Sequence, residues 1–524
     1  MAYKGFAKWI VVITVVSAAV MELLDTSIVN VALNQMSGNL GASIEDISWV
    51  ITAYAIANVI VIPLTGFFAA YFGRKNYYIV SIIVFTIASY LCGNSTSLWE
   101  LVFFRFVQGI GGGALLSTSQ AILFDAFTYE ERPIASALFG MGIVMGPTLG
   151  PTLGGIIIDH YSWPLIFNIN IPIGIIAVLL TIAYVEKKPE EHAIDKSKLH
   201  VDYTGILFLI IGIGSMQVVL ERGQTDDWLQ SAYIRNLIIS SIAGLALFIW
   251  WELRHPSPAV NLRVMKNRTL AVSSMLTFVS GIGLFCSVFV IPLLVQRISG
   301  FTPTLTGELL IPGALAAFVM FPIVGKSIQN GVPARTFVAI GFSMFIAYSW
   351  FASKLNADAN YWDFQFPLIL RGIGISMLTV PLINQAVSDL KPFQMPQGIA
   401  INNMARQLGG SFGIAMINTY IASRVANHRN VLITNITDTN PLATERFAQL
   451  QQGFISKGYG LIDAKNMAMA AMNNMVVKQS FLLSYLDAFL FVGLFFLVTF
   501  PLIFLVKVNK RNVQIAAKAA AEAH

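Results

Sequence analysis

The chain has 524 residues, of which 56% are hydrophobic and only 11% charged, with a formal net charge of +6. Soluble domains carry about 25% charged residues, so this composition excludes a soluble protein and indicates an all-α integral membrane protein. The apolar runs are of helix length rather than ten-residue alternating segments, which excludes an outer-membrane barrel, and the excess of positive charge reads as a positive-inside bias rather than a nucleic-acid surface.

Lys4 and Lys8 precede a first apolar run too long for a signal peptide, so it is expected to remain as the first span. Fourteen spans are read in all, at about 9–35, 47–70, 76–94, 98–123, 133–158, 163–185, 203–221, 233–252, 269–296, 304–327, 333–353, 362–387, 396–423 and 484–507. Each is near or above the ~20 residues that a helix needs to cross a bilayer. Loops on the side of the N-terminus hold most of the basic residues, among them Arg74, Lys75, Arg132, Lys187, Lys188, Arg263, Lys266, Lys326 and Lys391. Both termini are therefore expected in the cytoplasm. The tryptophans, such as Trp9, Trp49, Trp163, Trp228 and Trp362, fall near span ends, as an interfacial belt requires.

A faint repeat relates Gly66 to Lys75, after the second span, to Gly325 to Arg335, after the tenth; Arg105 in the fourth span is echoed by Arg371 in the twelfth. With spans seven and eight taken as an insertion, the chain divides into an N-terminal six-helix bundle (1–186), linkers with two inserted helices (187–268), a C-terminal six-helix bundle (269–508) and a tail (509–524). Two parallel halves around a central site are a transporter architecture. The polar stretch at about 424–480 is too long for a simple connection and reads either as a helical hairpin outside the membrane or as a disordered loop. Asn440-Pro441 marks one helix start there, and Asp463 would cap a second helix.

Glu22 and Asp25 lie in the middle of the first span, where a carboxylate costs roughly 2.5–3.5 kcal/mol on insertion scales. At ~1.5 Å per residue Asp25 is about 24 Å beyond Trp9, a depth comparable to that of Arg105 in span four. The two can pair, and protonation of the acid would release the arginine, a local switch for alternating access; the plainer reading is a static ion pair. Glu22 would carry protons or attract a cationic substrate. In the fifth span Gly142, Gly146, Gly150 and Gly154 recur every four residues, with Pro147, Pro151 and Gly155 among them. That stripe reads as close packing, a hinge or a sealed seam between moving halves. Asn30, Asn58, Gln108, Gln120, Asn384, Gln385, Asn402 and Asn403 line a cavity or bond between helices, and Arg371 and Arg406 are functional or pair with helix carbonyls. Cys92 and Cys286 fall within spans and the six histidines are scattered, so no metal, cofactor or nucleophile constellation is expected, and no phosphate-binding loop supports direct ATP drive.

At these residues the chain resembles the major facilitator superfamily, specifically its fourteen-helix drug:proton antiporter branch, over nearly its whole length. The first-helix signature of that branch reads like Leu24-Asp25-Thr26-Ser27-Ile28-Val29-Asn30-Val31-Ala32-Leu33, and Gly66, Gly73, Arg74 and Lys75 resemble the cytoplasmic loop motif. Arg105-Phe106-Val107-Gln108-Gly109-Ile110-Gly111 resembles the fourth-helix motif whose arginine is implicated in proton transfer. Gly146 to Gly155 resembles the fifth-helix antiporter motif. One departure is Ala70, where the loop motif usually has an aspartate, and it leaves the charge-relay role of that loop open. Within the branch, Ser48-Trp49-Val50-Ile51-Thr52 and the long outer hairpin are similar to the EmrB-like multidrug efflux pumps. The resemblance implies a non-enzymatic, proton-coupled exporter of small hydrophobic or amphipathic toxic compounds in a bacterial inner membrane. It also implies a periplasmic membrane-fusion adaptor and an outer-membrane channel as partners. On the same fold, an exporter of one metabolite, fatty acid or siderophore remains the alternative.

Overall fold

The computed structural model describes residues 5–187, 201–437 and 439–506; among these there are helices and turns and no strand. Fourteen long helices follow one another: α1 (Gly5–Leu40), α2 (Trp49–Phe72), α3 (Arg74–Gly93), α4 (Leu98–Ala126), α5 (Arg132–His160), α6 (Asn170–Tyr184), α7 (Tyr203–Arg222), α8 (Ala232–Arg254), α9 (Arg268–Arg297), α10 (Pro303–Gln329), α11 (Ala334–Ala352), α12 (Gln365–Ser388), α13 (Met395–Ile433) and α14 (Leu461–Thr499). With the short helix Leu165–Asn168 run into α6, thirteen are long and apolar enough to cross a membrane. The other, α13, is long enough at 39 residues. It is too polar for that measure because Gln397, Asn402, Asn403, Arg406 and Gln407 crowd its first half. The tail expected at 509–524 and the basic residues from Lys188 to Lys198 lie outside the described residues.

Side-chain caps set several of these ends. Asn267 accepts from the amides of Thr269 (2.9 Å) and Leu270 (3.2 Å) at the start of α9. Thr302 followed by Pro303 opens α10. Both satisfy amides that the first turn leaves unpaired. Apolar side chains such as Ile87 on α3, Leu179 on α6 and Ile239 on α8 are more than half exposed, as a surface facing lipid requires.

Helix α1 packs on α5, α4 and α6, while α2 and α3 both pack on α4. Farther along, α9 packs on α13, α10 on α12, and α11 on α12 and α14. The two groups meet where α5 runs against α10 and where α13 crosses α2 and α4. Helices α7 and α8 form a separate pair leaning on α2 and α13. That pair is held by close backbone approach: a Cβ on Gly212 would stand 2.7 Å from the Leu245 amide nitrogen. The π-helical turn Ile210–Gly214 lies at this crossing, and its Gly212 carbonyl accepts from the Ser241 hydroxyl at 3.0 Å.

The long polar stretch is a helical hairpin. It consists of the far ends of α13 and α14, with a short helix, Pro441–Ile455, laid against α14. Asn440 caps that short helix as expected, accepting from the Leu442 amide at 3.2 Å. At α14 the expectation is corrected: Gly460 is the cap residue and Asp463 lies in the first turn, where its charge complements the helix dipole. The hairpin is joined at its base by Asp487, whose Oδ2 accepts from Arg424 Nε at 2.6 Å and lies 2.7 Å from His428 Nε2.

Candidate functional site

The site grows from α1. Its carboxylate Asp25 is fully buried and accepts three hydrogen bonds from two other helices, α4 and α6. Arg105 Nη1 on α4 donates to Asp25 Oδ2 at 2.5 Å. Gln108 Nε2, one turn along α4, donates to Oδ1 at 2.9 Å, and Asn170 Nδ2 at the start of α6 donates to the same oxygen at 2.8 Å. The guanidinium is equally engaged: Nη1 also reaches Gln108 Oε1 (2.6 Å) and Nε donates to the Val50 carbonyl (3.2 Å). A buried ion pair of this kind is tolerable only because its remaining donors and acceptors are satisfied.

Tyr54, on α2, links this pair to the second acid. Its ring lies 4.2 Å from the Arg105 guanidinium carbon, and its hydroxyl donates to Glu22 Oε1 at 3.3 Å. Asn58 Nδ2, one turn along α2, donates to the same Glu22 oxygen at 2.9 Å. Glu22 Oε2 is buried and makes no hydrogen bond among the described residues. Across from it, Arg406 on α13 attracts Glu22 electrostatically, yet its own Nε and Nη2 are also buried without a hydrogen bond. The two acids are thus unlike: Asp25 accepts from three donors, whereas Glu22 and the Arg406 that attracts it each keep buried polar atoms without a hydrogen bond.

The other expected residues divide by position. Gln120 accepts from Asn403 Nδ2 at 2.9 Å, and the same nitrogen donates to Ser117 at 3.2 Å, so these polar groups tie α4 to α13. Asn402 is buried beside them on α13. Asn30 is exposed and outside the network, and Asn384 and Gln385 lie in the last turns of α12, toward the face that carries the N-terminus.

The small-residue stripe of α5 seats α1. Gly146 lies against Leu23, Gly150 against the Ser27 side chain and Gly154 against Ile28, while Gly142 has looser contact with Val16 and Val20. Ser27 Oγ lies within 3.2 Å of the Gly146 carbonyl. Pro151 is half-buried inside the helix, and Gly155 turns the other way, its Cβ position 3.0 Å from the Thr304 amide nitrogen of α10. The stripe proper therefore packs the acid-bearing helix, and Gly155 belongs to the seam with α10, where Thr152 meets Gly307 and Gly140 meets Phe321.

At the face that carries the N-terminus, Gly66 meets Gln397 of α13, and Gly73 (φ +84°) turns the chain from α2 into α3. Arg74 pairs with Asp125, at the end of α4, and Lys75 Nζ donates to the Ile182 carbonyl at 2.8 Å. Asp125 supplies a carboxylate to Arg74, while Ala70 sits in the last turn of α2. Tyr54, Asp125, Asn170 and Ser89, whose hydroxyl accepts from Gln108 Nε2 at 2.7 Å, were not singled out from the sequence. The asparagines Asn168 and Asn170 in the apolar run after Trp163 were the available signal for Asn170; a tyrosine in an apolar helix gives none.

The comparisons bear on family and fold. Residues 15–414 match the family model described as Major Facilitator Superfamily. The multidrug export protein EmrB of Escherichia coli K12 is 31% identical over 505 residues, 96% of each chain. The fatty acid resistance protein FarB of Neisseria gonorrhoeae is 32% identical over 504 residues, 96% of this chain and 97% of that one. Among solved structures, the human organic anion transporter MFSD10 superposes with a TM-score of 0.58 at 13% identity, over 95% of this chain and 99% of that one, a likeness of fold alone. The all-helical architecture, the matched family model and these near-full-length relatives identify the chain as a multi-pass membrane protein that belongs to the major facilitator superfamily.

Proposed function

We propose that the protein exports small hydrophobic or amphipathic toxic compounds in exchange for protons, by alternating access, in a bacterial inner membrane. The observation that carries this reading is the fully buried Asp25 held by Arg105, Gln108 and Asn170. Such a carboxylate has two states. Ionised, it binds α4 and α6 to α1; protonated, it loses its claim on the guanidinium and frees the helices to shift. Protons entering down the membrane potential supply about 2.3 kcal/mol per charge per 100 mV. Glu22 and Arg406, each with buried polar atoms that make no hydrogen bond, would receive a polar or charged group of the substrate. In this reading both termini are cytoplasmic, α1–α6 and α9–α14 are the two halves, and α7 and α8 are the insertion. The hairpin would then stand in the periplasm as the contact surface for a membrane-fusion adaptor leading to an outer-membrane channel.

Reconstitution into proteoliposomes with a pH-sensitive dye and a panel of compounds tests the proposal. Asp25→Asn should insert and fold normally but reduce proton-driven export to the protein-free baseline; wild-type rates under an imposed pH gradient would overturn the assignment. The similarity to FarB favours one second reading, export of fatty acids alone. Growth of a deletion strain across a toxin panel separates the two, since sensitivity to a single chemical class would select the narrow exporter.

A further inference from the structure

The first half of the chain supplies Arg105 with a carboxylate of its own, Asp25. Arg371 on α12 has no such partner. It makes no hydrogen bond or ion pair among the described residues, and its Nε and Nη1 are sealed from solvent. Tyr348 on α11 is fully buried and close enough to act on this guanidinium electrostatically, and its hydroxyl is also without a hydrogen bond. A phenol beside a guanidinium is a ready acceptor for it, yet the two are not bonded to each other. Cys286 on α9, a buried free thiol, adds a weak donor within electrostatic reach of Tyr348.

The surroundings are apolar and close. Phe345 and Phe489, both almost fully buried, pack their rings on Tyr348 at 5.6 and 6.0 Å. Glycines draw α12 tight on its neighbours: a Cβ on Gly372 would collide with the Gly313 carbonyl of α10, and one on Gly374 would stand 3.2 Å from Met344 Cβ of α11. Helices seated this closely leave no room for an organic body beside Arg371, which nonetheless keeps 3% of its surface within reach of a water-sized species. Three properties of a ligand follow. The side chains offer donors, so the ligand accepts. A guanidinium in apolar surroundings carries a desolvation cost that a neutral water does not offset, so the ligand is an anion. The enclosure strips its hydration shell, so it is small, singly charged and weakly hydrated, which rules out sulfate and phosphate.

We infer that Arg371 and Tyr348 form a buried binding site for a chloride ion, bridging the guanidinium and the phenol hydroxyl. The ion does for Arg371 what Asp25 does for Arg105, with one difference. Chloride does not titrate, so the second half of the chain keeps a constant charge while the first responds to protons. The inference does not depend on what the protein exports. The test is equilibrium binding of radiolabelled chloride to the full-length protein in lipid nanodiscs, at constant ionic strength in sodium gluconate. Wild type should bind chloride saturably, and bromide should displace it. Arg371→Met should bind none, and Tyr348→Phe, which loses one donor to the ion, should bind about tenfold more weakly. Melting should follow the same ligand: in gluconate Arg371→Met melts at or above wild type, and added chloride raises the wild-type midpoint while leaving the variant unmoved. Tyr348→Phe keeps the charge, so it carries the test alone if Arg371→Met does not assemble. Absence of saturable chloride binding in wild type would leave water as the partner of these donors and overturn the inference. So would equal binding by wild type and Arg371→Met, an unchanged half-saturation in Tyr348→Phe, or loss of the ion in Arg406→Gln with its retention in Arg371→Met.

Discussion

Two buried guanidiniums, Arg105 on α4 and Arg371 on α12, look alike in sequence, each followed by closely spaced glycines inside an apolar span. Their surroundings differ in kind. Arg105, 1% exposed, donates to a carboxylate, an amide and a carbonyl and lies over the Tyr54 ring. Arg371, 3% exposed, has Nε and Nη1 buried without a hydrogen bond, and the group acting on it electrostatically is Tyr348, whose own hydroxyl is unpaired. The first half of the chain thus carries an ionisable pair, and the second a fixed cation with no carboxylate opposite it among the described residues. An echo in sequence order does not carry over to an echo in chemistry, because the missing half of the second pair would have to come from a different helix.

Substitution can sharpen or break this contrast. Arg105→Met leaves Asp25 buried and alone, and should destabilise the protein by about 3–5 kcal/mol, read as a fall in thermal midpoint in nanodiscs. Gly150→Leu forces α5 away from Ser27 on α1, and should cost about 1–3 kcal/mol with loss of transport, measured by the same melt and by efflux. Tyr54→Phe keeps the ring on Arg105 and removes only the hydroxyl bond to Glu22; export should slow several-fold, by about 1 kcal/mol of coupling, with its pH profile displaced. Tyr54→Leu, which removes the ring as well, should be worse. In chloride-free buffer Arg371→Met should hold or raise the thermal midpoint, since removing a buried charge that has no carboxylate partner relieves an uncompensated desolvation cost. A collapse of Arg371→Met comparable to that of Arg105→Met would erase the contrast.

Much of the frame was legible in the sequence. Helix-length apolar runs, caps such as Asn440-Pro441 and the four-residue glycine spacing are local patterns, and each became a helix, a helix start or a packed stripe. The Asp25–Arg105 contact was legible because depth along two spans can be counted in residues. What remained hidden depends on rotation about helix axes. Asn170, Ser89 and Tyr54 join the network because α6, α3 and α2 turn those side chains inward, and nothing local fixes that turn. Asp125 was hidden for the same reason. The end of α2 has Ala70 where the family motif usually has an aspartate, but Arg74 takes a carboxylate from the end of α4.

The continuity of α13 and α14 from membrane to hairpin has a mechanical consequence. Each runs 39 residues, about 58 Å, against the ~30 Å of a hydrocarbon core, so half of each helix projects as a stiff arm. The Arg424–Asp487–His428 cluster clamps the two arms together at the membrane surface. A tilt of α13 by about 10° around mid-membrane would swing the hairpin tip by roughly 7 Å. The same helix carries Arg406 and Asn403 at its inner end, so whatever shifts those residues is relayed, as a lever relays it, to the far tip. Anything seated there would receive each turn of the cycle as a stroke.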